Sequence, residues 1–108
     1  MEEYKLLEAA LRETGIPFAE GGWDKHPAAP YGVYALDGDG SNLWAGDHLE
    51  EQVLQGTVDL FTRGRGRDKK ELVQAALMKA GISWSLNSIQ YEPDTRLTHF
   101  EWVFEVLT

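Results

Sequence analysis

The sequence predicts an α+β fold, a mixed or mainly antiparallel sheet of four to five strands packed with two helices, in a single domain over residues 1–108. Three observations lead there. Two segments repeat apolar residues at the helical period of about 3.6, and each runs into a Gly-Ile pair. The last segment alternates apolar and polar residues with the two-residue period of a strand. Between them, clusters of Gly, Pro, Asp, Ser and Asn punctuate the chain at the short intervals typical of one domain.

The first helix is expected over residues 2–14, where Tyr4, Leu7, Ala10, Leu11 and Thr14 share one side and Gly15, with Pro17 beyond, stops the run. Ile16 to Trp23 has the composition of a short strand, but Gly21, Gly22, His26, Pro27 and Pro30 describe an irregular loop. A strand follows over 31–36. Asp37-Gly38-Asp39-Gly40-Ser41-Asn42 is dense turn chemistry and reads as a hairpin tip or loop. A long half-buried strand is expected over 50–62, with Leu54, Val58 and Leu60 opposed by Gln55, Thr57 and Asp59. The second helix is expected over 68–80, capped by Asp68 with Glu71 in the capping-box position, and with Leu72, Val73, Ala76, Leu77 and Ala80 toward the core. After Gly81, residues 82–91 read as a strand whose apolar positions Ile82, Trp84, Leu86 and Ile89 change parity near Asn87 and Ser88, which a bulge or a twist would explain. Glu92-Pro93-Asp94-Thr95 turns the chain into a last strand over 97–107, where Phe100, Trp102, Phe104 and Val106 alternate with His99, Glu101, Val103 and Glu105. Leu6 to Leu11 with Gly15-Ile16 is echoed by Leu72 to Leu77 with Gly81-Ile82. Duplication of a helix-strand unit would explain this, and so would two short helices on one sheet needing the same small-and-leucine face and the same glycine stop.

Composition narrows the function classes. Ten Lys and Arg against eighteen Asp and Glu give a formal charge of −8, which repels phosphate backbones and anionic membranes as a whole. The chain has no cysteine, so disulfides, thiolate metal sites and cysteine nucleophiles are out. Met1 to Leu11 has neither the basic start nor the apolar run of a signal peptide, which makes a cytoplasmic setting the expectation. His26, His48 and His99 are scattered, and no serine sits in a nucleophile-elbow context, so neither a zinc site nor a catalytic residue is expected.

Three constellations remain. Asp37, Asp39 and Ser41 put oxygens at the first, third and fifth positions of a calcium loop, but Asn42 at the sixth and His48 at the twelfth spoil it, and a plain turn is the competing reading. Arg63-Gly64-Arg65-Gly66-Arg67-Asp68-Lys69-Lys70 holds five of the ten basic residues and carries +4, which leaves −12 on the rest. Arg63, Arg65, Arg67, Lys69 and Lys70 are therefore candidates for contact with a carboxylate-bearing protein partner, with a solvated loop or a local nucleic-acid contact as the other readings. Trp23 and Trp44 lie in glycine-rich stretches, where a tryptophan is either a lid over the core or an interface anchor.

Taken in order, the Gly15-Ile16-Pro17-Phe18 helix exit, Pro30-Tyr31-Gly32-Val33-Tyr34, the strand around Val58 to Thr62, the helix opened by Asp68-Lys69-Lys70-Glu71 and Thr98-His99-Phe100-Glu101-Trp102-Val103-Phe104-Glu105-Val106 resemble the small tail-completion proteins of long-tailed phages and prophages, similar to tail terminators. The resemblance runs over essentially the whole chain and rests on fold-level features. It implies a structural virion protein that forms a ring, commonly a hexamer, capping the finished tail tube and joining it to the head. The implied partners are further copies of the chain, the tail tube protein and the head-tail connector, with no cofactor, no membrane and no sequence-specific nucleic acid. The implied location is the host cytoplasm during assembly and then the tail or neck of the virion. The arginine-glycine stretch from Arg63 to Arg67 departs from that group. A head-tail connector (neck) protein is the nearest alternative, and a small acidic inhibitor or immunity-type protein a more distant one.

Overall fold

Both helices form where the apolar period runs. The computed structural model describes residues 1–45 and 48–108, with 43–45 and 48–50 described through their backbone. Helix α1, Glu2–Glu13, buries Tyr4, Leu7, Ala10 and Leu11. Thr14 closes it by donating its hydroxyl to the Leu11 carbonyl at 2.6 Å, and Gly15 turns the chain away at φ 79°. Helix α2, Arg67–Ala80, buries Val73, Ala76, Leu77 and Ala80 and stops at the left-handed Gly81. Leu72, expected in the core, is instead exposed. Val73 occupies the buried stripe, and one residue along a helix is a rotation of about 100°, which carries Leu72 off it.

The strands are β1 (Phe18–Glu20), β2 (Tyr31–Asp39), β3 (Leu43–Ala45), β4 (His48–Glu51), β5 (Val53–Arg63), β6 (Ser83–Glu92) and β7 (Leu97–Leu107). Five form one sheet in the order β1-β2-β5-β7-β6, antiparallel except for the parallel β1/β2 pair. The fold is thus α+β, with two helices packed on a mixed, mostly antiparallel sheet. Strand β5 is the central strand, and β7 lies between it and the β6 edge. Phe100, Trp102, Phe104 and Val106 point at the helices and are almost wholly buried with Val58 and Leu60 of β5, as the alternation requires.

Several expectations need correction. Residues 18–20 do form a strand, because Gly32 leaves room for the Phe18 ring where any Cβ would collide with it. Asp37, Gly38 and Asp39 belong to β2, not to a loop, and pair with Gln55 and Leu54 across a bulge that follows Leu36. The long strand over 50–62 is two strands, β4 and β5, separated at Gln52. Here β3 and β4 pair as a separate two-stranded ribbon, and the junction is pinned by the Val53 amide donating to Asn42 Oδ1 at 2.7 Å and the Gly40 amide to the Val53 carbonyl at 2.8 Å. Asp68 does not cap α2. The chain enters that helix through Gly66 at φ 62°, with no side-chain cap, and the Lys70 amide donates to the Gly66 carbonyl at 2.9 Å as the first helical bond. The expected bulge in β6 lies between Leu86 and Ser88.

Candidate functional site

A groove at the β6 edge

The basic run does not make one patch. Arg65, Arg67 and Lys70 line a groove of about 620 Å³ between the start of α2 and the β6 edge of the sheet, whereas Arg63 and Lys69 lie around a separate hollow. The floor of the groove is apolar: Ile89 and Tyr91 of β6 and Phe100 of β7. Ile89 is 54% and Tyr91 58% exposed, unusual for large apolar side chains in strand interiors. They are uncovered because the Leu86/Ser88 bulge keeps them on the helix side of the sheet beyond the part that α1 and α2 cover. The wall is fixed by Thr98, whose hydroxyl donates to the Gly64 carbonyl and ties the loop to β7.

Charge and backbone both leave this edge open. Among the described residues, none of Arg63, Arg65 and Arg67 takes part in an ion pair, and Lys70 reaches only its neighbour Glu71, at 3.6 Å. Strand β6 pairs with β7 on one side alone, and Ser83 to Glu92 contains no Lys, Arg or Pro, the residues that usually guard an exposed edge.

The opposite edge carries the carboxylates Glu8 and Glu20, with Arg12 beside Glu8 in the same hollow. There α1 meets β1 and β2 through two phenol-carboxylate pairs: Tyr4 donates to Glu20 at 2.5 Å and Tyr34 to Glu8 at 2.7 Å. Both phenols are held well above their ordinary pKa, first by burial and then by the carboxylate that accepts the hydrogen bond. Neither Glu8 nor Glu20 has a cation within salt-bridge distance among the described residues. Unlike patches thus stand at the two ends of the strand order.

The face of the sheet away from the helices carries a row of rings, with His26 of the 21–30 loop lying over Tyr31. His26, Tyr31, Phe61 and His99 stack at centroid separations of 4.3, 5.0 and 4.3 Å, and His99 Nε2 lies 2.7 Å from Asp59 Oδ1. Burial raises the Asp59 pKa, partly offset by the His99 contact. This pair is on the face away from the groove, because His99 and Phe100 are consecutive in β7 and point to opposite sides.

The other sequence candidates fall as follows. Asp37 is exposed in β2, Asp39 accepts from Gln52 Nε2 at 3.4 Å, and Ser41 donates to Glu105 at 3.2 Å, so the calcium-loop spacing is drawn out along a strand and its junction. Among the described residues no three His, Asp or Glu side chains are grouped to hold a metal. Trp23 is half-buried and its Nε1 donates to the Gly32 carbonyl at 2.9 Å, which fastens the 21–30 loop to β2. The Trp44 side chain, like that of His48, lies outside the described residues. Sequence reasoning found the arginines of the groove but missed Ile89, Tyr91 and Phe100 as their neighbours, and missed the Tyr-Glu pairs entirely. The one signal was the parity change in β6. Neither a scan of protein-family models nor a search of curated proteins finds a match for this chain.

Proposed function

We propose that the chain is a ring subunit of the tail-completion, tail terminator-like class of long-tailed phages or prophages, a structural protein that caps the tail tube and joins it to the head. The observation that carries this reading is the cationic, apolar groove at the β6 edge, net +2, of a chain whose other residues sum to −10 and whose β1 edge presents Glu8 and Glu20. A ring is built from heterologous contacts, in which one patch meets a different patch on the next copy, and two unlike patches at opposite ends of the sheet suit such a contact. The aromatic and aliphatic floor would supply apolar burial and the cations would select the partner's orientation. An acidic remainder suits a lumen through which DNA passes without adhering. The reading assigns the protein no catalytic role. Its partners would be further copies, the tail tube protein and the head-tail connector, first in the host cytoplasm and then in the virion.

The test is the mass in solution by light scattering over a concentration series at low and high salt, followed by addition to purified tail tubes. A closed oligomer of about six copies that loosens with salt, or attachment to the tube end, is expected. A monomer that also ignores the tubes would refute the proposal.

A further inference from the structure

The hollow on the other side of the basic run does not belong to the groove. It has a volume of about 290 Å³ and lies at the start of α2, with Ala29 and Pro30 as one wall and Thr62, Arg63, Gly66, Asp68 and Lys69 around the rest. Helix α2 is 14 residues long and has no side-chain cap. The first helical bond is made by the Lys70 amide, so the amides of Arg67, Asp68 and Lys69 precede it and have no acceptor within the helix. Those amides, with the helix dipole, favour negative charge.

A second, independent feature points the same way. Thr62 is 1% exposed, and its hydroxyl is the one buried side-chain polar atom among the described residues that lacks a hydrogen-bond partner. It stands against Gly66, where an added Cβ would collide with it. That contact, with φ at 62°, keeps Ser, Asp and Asn out of the capping position, so the helix end cannot be satisfied by its own residue. A buried hydroxyl without a partner is costly and rare, and Thr62 borders the same hollow as two cations. Asp68 also lines it, but its side chain is 79% exposed and reaches toward Lys69 at 3.9 Å, which leaves the hollow net positive.

We propose that this hollow is an oxyanion site: a phosphate or carboxylate group accepts hydrogen bonds from the first-turn amides of α2 and from the Thr62 hydroxyl, with Arg63 and Lys69 as its counter-charges. Inorganic phosphate, a nucleic-acid backbone phosphate and a carboxylate side chain share this chemistry. The site is independent of the ring reading and stands or falls without it.

The experiment is an NMR titration of the ¹⁵N-labelled full chain with inorganic phosphate, against sodium chloride at equal ionic strength. Saturable shifts centred on the amides of Gly66 to Lys69 are expected with phosphate and not with chloride. Thr62→Val should fold, melt no lower than the wild type in chloride, and bind phosphate about tenfold more weakly, since a hydrogen bond to a charged group is lost. Arg63→Gln combined with Lys69→Gln, both at accessible positions, should retain the dispersed spectrum and abolish the shifts. Parallel titrations with a short oligothymidylate and with sodium glutamate separate the sources. Tighter binding of the oligonucleotide assigns the site to a nucleic-acid backbone, tighter binding of glutamate assigns it to a protein carboxylate, and preference for inorganic phosphate assigns it to the free ion. Phosphate shifts no larger than those in chloride, or unchanged affinity in Thr62→Val, would overturn the proposal.

Discussion

Reversing two charges in the groove separates assembly from folding. Arg65 and Arg67 are exposed and, among the described residues, unpaired, so replacing both by Glu removes no contact that holds the monomer together. Surface changes of this kind cost the fold within about 0.5 kcal/mol each. The groove itself changes from three cations and one carboxylate to one cation and three carboxylates. At a contact with an acidic edge, two attractions become repulsions. Charge pairs at a partly desolvated rim are worth about 1 kcal/mol, and each goes from attraction to a repulsion of similar size, so the swing is about 4 kcal/mol per contact, or a loss of roughly 1,000-fold in its affinity. Every subunit of a ring makes that contact, so the assembled species should disappear from the whole concentration range in which the wild type assembles. Sedimentation velocity at low salt reads the assembly, and circular dichroism with thermal melting checks the fold. An Arg65→Glu/Arg67→Glu protein that melts like the wild type and keeps the same oligomer distribution would refute the reasoning and remove the groove from the contact.

Three further outcomes follow from the packing. Tyr4 and Tyr34 have raised phenol pKa values, so the folded state holds those protons more tightly than the unfolded chain; their contribution to stability is complete below the ordinary value of 10.0 and is lost as pH rises through it toward the higher folded values. Urea midpoints measured from pH 8 to 11 should therefore fall more steeply for the wild type than for Tyr4→Phe/Tyr34→Phe, and parallel curves would contradict the assignment. Gly56→Ala should destabilise by about 1–3 kcal/mol in urea unfolding, because the new Cβ would meet the Ala35 carbonyl oxygen and the Phe104 ring in mid-sheet, where the backbone oxygen cannot move aside. Trp23→Phe removes the hydrogen bond to the Gly32 carbonyl and should increase proteolysis within 21–30 while leaving the melting temperature within a few degrees, for a loss of about 1 kcal/mol.

Local chemistry by itself determined the elements whose faces repeat. The four buried positions of β7 follow from strict alternation, the buried stripe of α1 from its 3.6-residue period, and both helix ends from Gly15 and Gly81, since these are properties of a short stretch of backbone. The charge asymmetry of 63–70 was equally legible as a count. Tertiary structure decided the rest. Strand β1 exists because Gly32, distant in sequence, makes room for Phe18. The division at Gln52 depends on Asn42 accepting the Val53 amide, a bond across eleven positions that no local propensity encodes. The start of α2 was set by Gly66 pressed against Thr62, not by the capping-box residues next to it. Likewise, the arginines announced a charge but not what lay beside it. Ile89, Tyr91 and Phe100 come to Arg65 and Arg67 through sheet pairing and a bulge, and Tyr4 and Glu20 meet only when α1 packs on the β1 edge. A sequence specifies periodicity and charge through neighbours in the chain, whereas a groove or a hydrogen-bonded pair is made by residues that are neighbours only after the chain has folded.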